Sequence, residues 1–178
     1  TYLKCKINNT MTNYTQDELT KWINEKAMDL TSGVVQKRLL HSKRAAGSAT
    51  LGNLYFFKYD PKHKMTIPIY DRYPMAFPIK MYGDGFLGVN MHYLPTGQRR
   101  TFVKSVNEYK QTSDLSRIDV SAELFAELEQ TKRIYKVMPM AVKRYLYPHV
   151  RSRFIEIYPE EYDKAIQLPI DLWVFKEV

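Results

Sequence analysis

The chain has 178 residues, 44% hydrophobic and 26% charged, with 27 Lys and Arg against 19 Asp and Glu for a formal net charge of +8. This balance excludes wholesale disorder, suits one domain with a core of its own, and favours anionic partners such as nucleic acid or acidic protein surfaces. The single Cys5 excludes an intramolecular disulfide framework and lacks the Cys and His company that a zinc site needs, which fits a reducing compartment.

No run approaches the roughly 18 apolar residues of a membrane span, and no charged-then-apolar leader opens the chain, so a soluble protein without membrane contact is expected. Residues 1–45 read as an N-terminal arm with helices, and residues 46–178 as an α+β core domain. Within the first part, Thr15 to Glu18 form a capping box, and Leu19, Trp22, Ile23 and Met28 follow at helical spacing, predicting a helix over 16–30. A second helix is expected over 34–44. The small, polar stretch 45–53 reads as a connector.

From Leu54 to Pro95, aromatic, β-branched and proline residues fall into four extended runs, near 54–59, 66–70, 75–81 and 85–93. Asp60-Pro61, Asp71 to Pro74 and Gly83-Asp84-Gly85 supply turns between them. Pro68 and Pro78 cannot donate to a ladder and belong on edges or bulges, as in a small SH3-like barrel or a partly open sheet. Beyond Pro95 the pattern predicts a helix over 96–109, a loop, a helix from Asp119 or Ser121 to about Met138, and a short helix over 140–146. A strand over 153–157, a helix over 159–166 and a last strand over 172–175 complete the chain.

Gly83, Gly85 and Gly88 have the spacing of a dinucleotide fingerprint, but strand-like sequence follows where a helix should begin, so they read as hairpin glycines. His41, His63, His92 and His149 match no metal-ligand spacing, and Asp60, Asp71 and Asp84 lie at turns, where Asp bonds the local backbone. No nucleophile elbow is present either. The reading is therefore not an enzyme, with no cofactor and no metal; a nuclease would depend on Asp71 or His92. Basic residues gather at Lys37, Arg38, Lys43 and Arg44, at Arg99 and Arg100, and at Lys143, Arg144, Arg151 and Arg153, the last group interleaved with Tyr145, Tyr147, His149 and Phe154. Guanidinium forks for phosphate oxygens beside rings for bases suit a nucleic-acid surface. The plainer explanation is that these charges solvate helix faces or pair with Glu156, Glu160 and Glu161.

An aromatic strand ending in Tyr59-Asp60-Pro61-Lys62, a Tyr-Asp-x-x-Pro turn at Tyr70 to Pro74, the run from Gly85 to Pro95 and Arg151-Ser152-Arg153-Phe154 together form a recognisable pattern. It resembles a family of small virion-associated proteins of T-even-like and marine tailed bacteriophages, often labelled DNA end protectors; residues before Ala46 carry none of the resemblance. The resemblance implies a structural protein of the phage particle within a multi-subunit assembly, made in the host cytoplasm. It also implies other phage structural proteins as partners and contact with double-stranded DNA or its ends during head completion. The residues expected to meet DNA are Arg99, Arg100, Lys143, Arg144, Arg151 and Arg153. An architectural subunit of the neck, tail or baseplate making only protein contacts is the alternative.

Overall fold

The computed structural model describes residues 11–31, 45–66, 69–112, 141–169 and 174–176. Its centre is an open antiparallel sheet of six strands in the order β1-β7-β2-β4-β5-β6: β1 Ala45–Ala46, β2 Leu54–Phe56, β4 Met75–Tyr82, β5 Gly85–Asn90, β6 Val142–Leu146 and β7 Phe154–Ile157. A separate ribbon pairs β3, Ile69–Asp71, with β8, Val174–Lys176. Helices α1, Gln16–Thr31, α2, Thr96–Thr112, and α3, Tyr162–Gln167, complete the α+β architecture. Among the described residues the sheet does not close into an SH3-like barrel.

The pleat sorts the side chains into two cores. Register places Phe77, Val89 and Val142 side by side on one face, where Trp22 and Ile23 of α1, Phe102 and Val106 of α2 and Ile166 of α3 share their core. On the other face Met81, Phe86 and Tyr145 are neighbours. They meet Tyr55, Phe57, Tyr59 and Phe154 in a second, aromatic core. The Phe57 ring lies 4.8 Å from that of Phe154 and 5.3 Å from that of Tyr145, within the range of favourable edge and tilted contacts. A sheet buried on both faces explains the length of the aromatic run in the sequence.

Local chemistry sets the element ends. Thr15 N–H donates to the Glu18 carboxylate at 2.8 Å and Glu18 N–H to Thr15 Oγ1 at 3.3 Å, so the capping box starts α1 where expected. Its buried face is Leu19, Trp22, Ile23, Lys26 and Leu30, whereas Met28, five residues after Ile23, turns outward at 65% exposure. The ladder shifts register between Pro78 and Lys80, the irregularity a strand proline requires. Gly83 and Asp84 turn β4 into β5, and a Cβ on Gly85 would overlap the Tyr145 carbonyl oxygen. All three fingerprint glycines are thus hairpin residues.

The segment expected as a helix over 140–146 is a strand. Val142 to Leu146 alternates faces along β5, and the free edge of β5 supplies backbone partners that one isolated helical turn would lack. Residues 91–93 leave the strand as a 3₁₀ turn, and α2 runs to Thr112, past the expected end at Tyr109. The helices expected over 34–44 and 119–138, with Lys37, Arg38, Lys43 and Arg44, lie outside the described residues. No helix among the described residues is long and apolar enough to cross a membrane.

Glu161 ties α1 to the C-terminal part of the chain. Its Oε1 accepts from Lys26 Nζ at 2.9 Å and from Trp22 Nε1 at 3.3 Å, with the two charged side chains only 8% and 17% exposed. Burial alone would raise the Glu161 carboxyl, but Lys26, Trp22 and the Tyr158 N–H outweigh it and hold it below its ordinary value. Replacing Glu161 with Ala leaves a buried ammonium unpaired and should cost about 3 kcal/mol in urea unfolding at neutral pH. The wild-type advantage is complete above the ordinary glutamate range and fades as pH falls through the lowered value, so the two proteins should converge in acid.

Candidate functional site

Beyond β2 the chain stays extended, and its backbone ties together three distant segments. Tyr59 N–H donates to Arg72 O at 2.9 Å, while Arg151 N–H donates to Lys58 O at 2.8 Å and Asp60 N–H to His149 O at 2.9 Å. Because extended residues alternate, Phe57 and Tyr59 enter the aromatic core and Lys58 and Asp60 turn away from it. The result is a cleft of about 300 Å³ lined by Lys58, Tyr59, Asp60, Lys64, Tyr70, Arg72 and Arg151. Asp60 is its single carboxylate among the described residues. Lys64 Nζ sits 2.7 Å from Asp60 Oδ1 and Arg151 3.9 Å from Oδ2, and the Lys64 bond above all holds this carboxyl below its ordinary value.

A second cleft of about 410 Å³ adjoins the first and shares Tyr59 and Tyr70 with it. Lys62, His63, Tyr93, Lys143, Arg144 and Tyr145 are among its walls. Lys143 Nζ lies 5.0 Å from the centre of the Tyr93 ring, a cation held against an aromatic face. Burial pulls this lysine below its ordinary pKa while the Asp71 carboxylate pulls it back up. Arg144 packs 3.8 Å over the Tyr82 ring and pairs with Asp84 at the β4–β5 turn. Among the described residues the two clefts together carry seven Lys or Arg against two Asp.

A buried polar network forms the floor of the second cleft. Asp71 Oδ2 lies 2.5 Å from His92 Nδ1 and accepts from Asn90 Nδ2 at 3.0 Å, while Asp71 Oδ1 accepts from Tyr73 N–H at 2.9 Å. Asn90 Oδ1 in turn accepts from His92 N–H at 3.0 Å. Both oxygens of the carboxylate are occupied. His92 is 1% exposed and lines neither cleft, so this pair fastens the 3₁₀ turn after β5 to the ribbon strand β3. No group of three or more His, Cys, Asp or Glu able to hold a metal occurs among the described residues.

A family model described as the phage T4 terminal DNA protecting protein matches residues 3–177, nearly the whole chain. The chain belongs to that family. The match takes in residues 3–45, where the sequence motifs carried no resemblance. Comparison with curated proteins and with solved structures finds no match.

In this family member the six cations singled out from sequence have different fates. Arg99 is fully buried and cannot meet a phosphate. Its Nε donates to Leu94 O at 2.8 Å, and Nη1 reaches Ala165 O at 3.3 Å, Ile166 O at 3.1 Å and Leu168 O at 2.5 Å, so it closes the C-terminal end of α3, whose last carbonyls lack intrahelical partners. Burial lowers its pKa to about 10, which leaves it charged at neutral pH. Arg100 and Arg153 are exposed but line neither cleft. Only Lys143, Arg144 and Arg151 come to the paired clefts, where Lys58, Lys62, Lys64 and Arg72 join them. The sequence signal for these four was three lysines within the seven residues from Lys58 to Lys64, next to Tyr59 and His63, and the Arg72 between Tyr70 and Tyr73.

Proposed function

We propose that this chain binds the ends of phage DNA and shields them without cutting them, and that the paired clefts are its DNA surface. The observation that carries the reading is the joining of two basic clefts at Tyr59 and Tyr70, with seven Lys or Arg against two Asp among the described residues. Lysine and arginine neutralise phosphates, and the half-buried Tyr70 and Tyr93 bring aromatic surface to the larger cleft. The family description, a protecting protein of terminal DNA, supports the same reading. A non-enzymatic role fits the fate of Asp71, whose two carboxylate oxygens are taken up by His92 Nδ1, Asn90 Nδ2 and the Tyr73 N–H inside the fold. In this reading the protein is a component of the virion, assembled beside other phage structural proteins.

Binding should weaken steeply with salt, because each neutralised phosphate releases condensed counterions. If four to seven cations of the clefts each meet a phosphate, log affinity for linear duplex should fall against log salt with a slope of about −4 to −6. A fluorescence anisotropy titration across salt concentrations measures it. No affinity at low salt would reject DNA binding in favour of a subunit that makes only protein contacts.

A further inference from the structure

We infer that the exposed ring of Tyr82, with the Arg144 guanidinium stacked on it, is a docking platform for an unpaired nucleobase at the end of a DNA strand. The inference rests on the DNA-end reading above and names a chemical group recognised. Placement, exposure and charge carry it.

The bulge in β4 places the ring. Ala76 lies in the aromatic core and Phe77 in the helix-covered one, so an unbroken alternation would send Tyr82 after Ala76 into the aromatic core. The shift between Pro78 and Lys80 adds one residue and reverses that parity: Met81 packs on the aromatic core, and Lys80 and Tyr82 come to the other face. There Lys80, Leu87 and Arg144 form one row across three strands, and Tyr82, Gly85 and Leu146 form the next. Gly85 raises no side chain beside the ring.

Exposure rises along this face. Phe77 and Val89 are buried, whereas Lys80, Tyr82 and Arg144 are exposed, the tyrosine at 39%. The Arg144 guanidinium lies 3.8 Å over the Tyr82 ring, and its Nη2 pairs with Asp84, a bond made at the edge of the guanidinium that leaves its plane free to stack. Because Asp84 offsets the Arg144 charge, the stack offers flat π surface more than it offers net charge.

A nucleobase suits that surface. Bases outside a duplex lie on aromatic rings and guanidinium planes, whereas a base within a duplex has both faces covered by its neighbours. Lys80 Nζ, 5.5 Å from the same ring, adds positive charge beside the platform, which favours a ring that brings a phosphate with it over the neutral aromatic side chain of a protein partner. Arg144 also borders the larger cleft, so the platform continues the proposed DNA surface.

The test uses a duplex closed by a hairpin at one end and carrying at the other a short single-stranded overhang, either of normal nucleotides or of abasic ones with the same number of phosphates. A dumbbell closed at both ends is the control. The full-length chain should bind the base-bearing overhang about tenfold tighter than the abasic one. Tyr82→Ser, checked for folding by circular dichroism, should lower the first affinity to the second and leave the second close to unchanged, whereas Tyr82→Trp should keep the preference. Equal affinity of the wild-type chain for the two overhangs, with both above the dumbbell, would overturn the inference and leave end binding standing. A preference that survives Tyr82→Ser would overturn its assignment to this platform. Failure to bind any of the three DNAs would overturn the end-binding reading and the inference with it.

Discussion

Arg99→Ala is expected to be the most damaging single substitution, costing about 4 kcal/mol of a domain stability that is itself on the order of 5–15 kcal/mol. The guanidinium holds the backbone carbonyls of Leu94, Ala165, Ile166 and Leu168. Its removal leaves those acceptors without their donor in a site that excludes water, and opens a cavity where the largest fully buried side chain stood. Arg99→Lys should recover little of the loss, since one ammonium cannot reproduce the two-sided reach of Nε and Nη1. Arg100→Ala, one residue along the helix on its exposed face, should change stability by less than about 0.5 kcal/mol. Chemical denaturation of the three variants against wild type measures the contrast. Equal sensitivity at the two positions would refute the capping role.

Charge reversal in the smaller cleft should have the opposite profile, a large loss of DNA affinity with little loss of fold. In Lys58→Glu combined with Arg151→Glu, two cations on the cleft wall become carboxylates facing the same phosphates as Asp60. Losing two phosphate contacts and adding like-charge repulsion should lower affinity about a hundredfold at moderate salt and flatten the salt slope by about 2. The backbone bonds that build the cleft, Arg151 N–H to Lys58 O and Tyr59 N–H to Arg72 O, do not involve the substituted side chains, and what the Arg151 side chain itself holds, Pro148 O at 2.6 Å and Asp60 at 3.9 Å, lies at the exposed surface. The melting temperature should therefore move little while binding collapses.

The contrast between Arg99 and its neighbours shows what the sequence could and could not express. Arg99 and Arg100 are adjacent in the chain, and proximity invited a common role; on a helix, adjacent residues point about 100° apart. Arg99 falls in the apolar series with Phe102, Val103 and Val106, at the spacing of one buried stripe, a periodicity that the expected DNA contact passed over. What no periodicity could supply was the end of α3, 66 to 69 residues away in sequence, that needed its donors. The hairpin glycines, the capping box of α1, the strand proline at a bulge and the antiparallel β unit were all legible because each is written in consecutive residues. Val142 to Leu146 was misread as helix because its alternation is only five residues long and its partner strand lies more than fifty residues earlier.

The clefts were the least legible feature for the same reason. Lys58, Arg72 and Arg151 converge only because the extended segment after β2 hydrogen-bonds to both the β3–β4 turn and the segment before β7. Basic residues that seemed to form clusters along the chain were divided between core, cleft and open surface. The Asp71–His92 contact, 2.5 Å across a separation of 21 residues, was likewise invisible to spacing rules, and it fastens the 3₁₀ turn after β5 to β3.

The most direct measurement is an exonuclease challenge of linear phosphorylated duplex in the presence of the wild-type chain or of the Lys58→Glu, Arg151→Glu protein, with circular dichroism confirming that both are folded. The wild-type chain should leave the DNA full length over a period in which naked DNA is digested, and the doubly reversed protein should leave it as vulnerable as naked DNA. Equal shielding by the two proteins, or none by either, would contradict the assignment of DNA-end protection to the paired clefts.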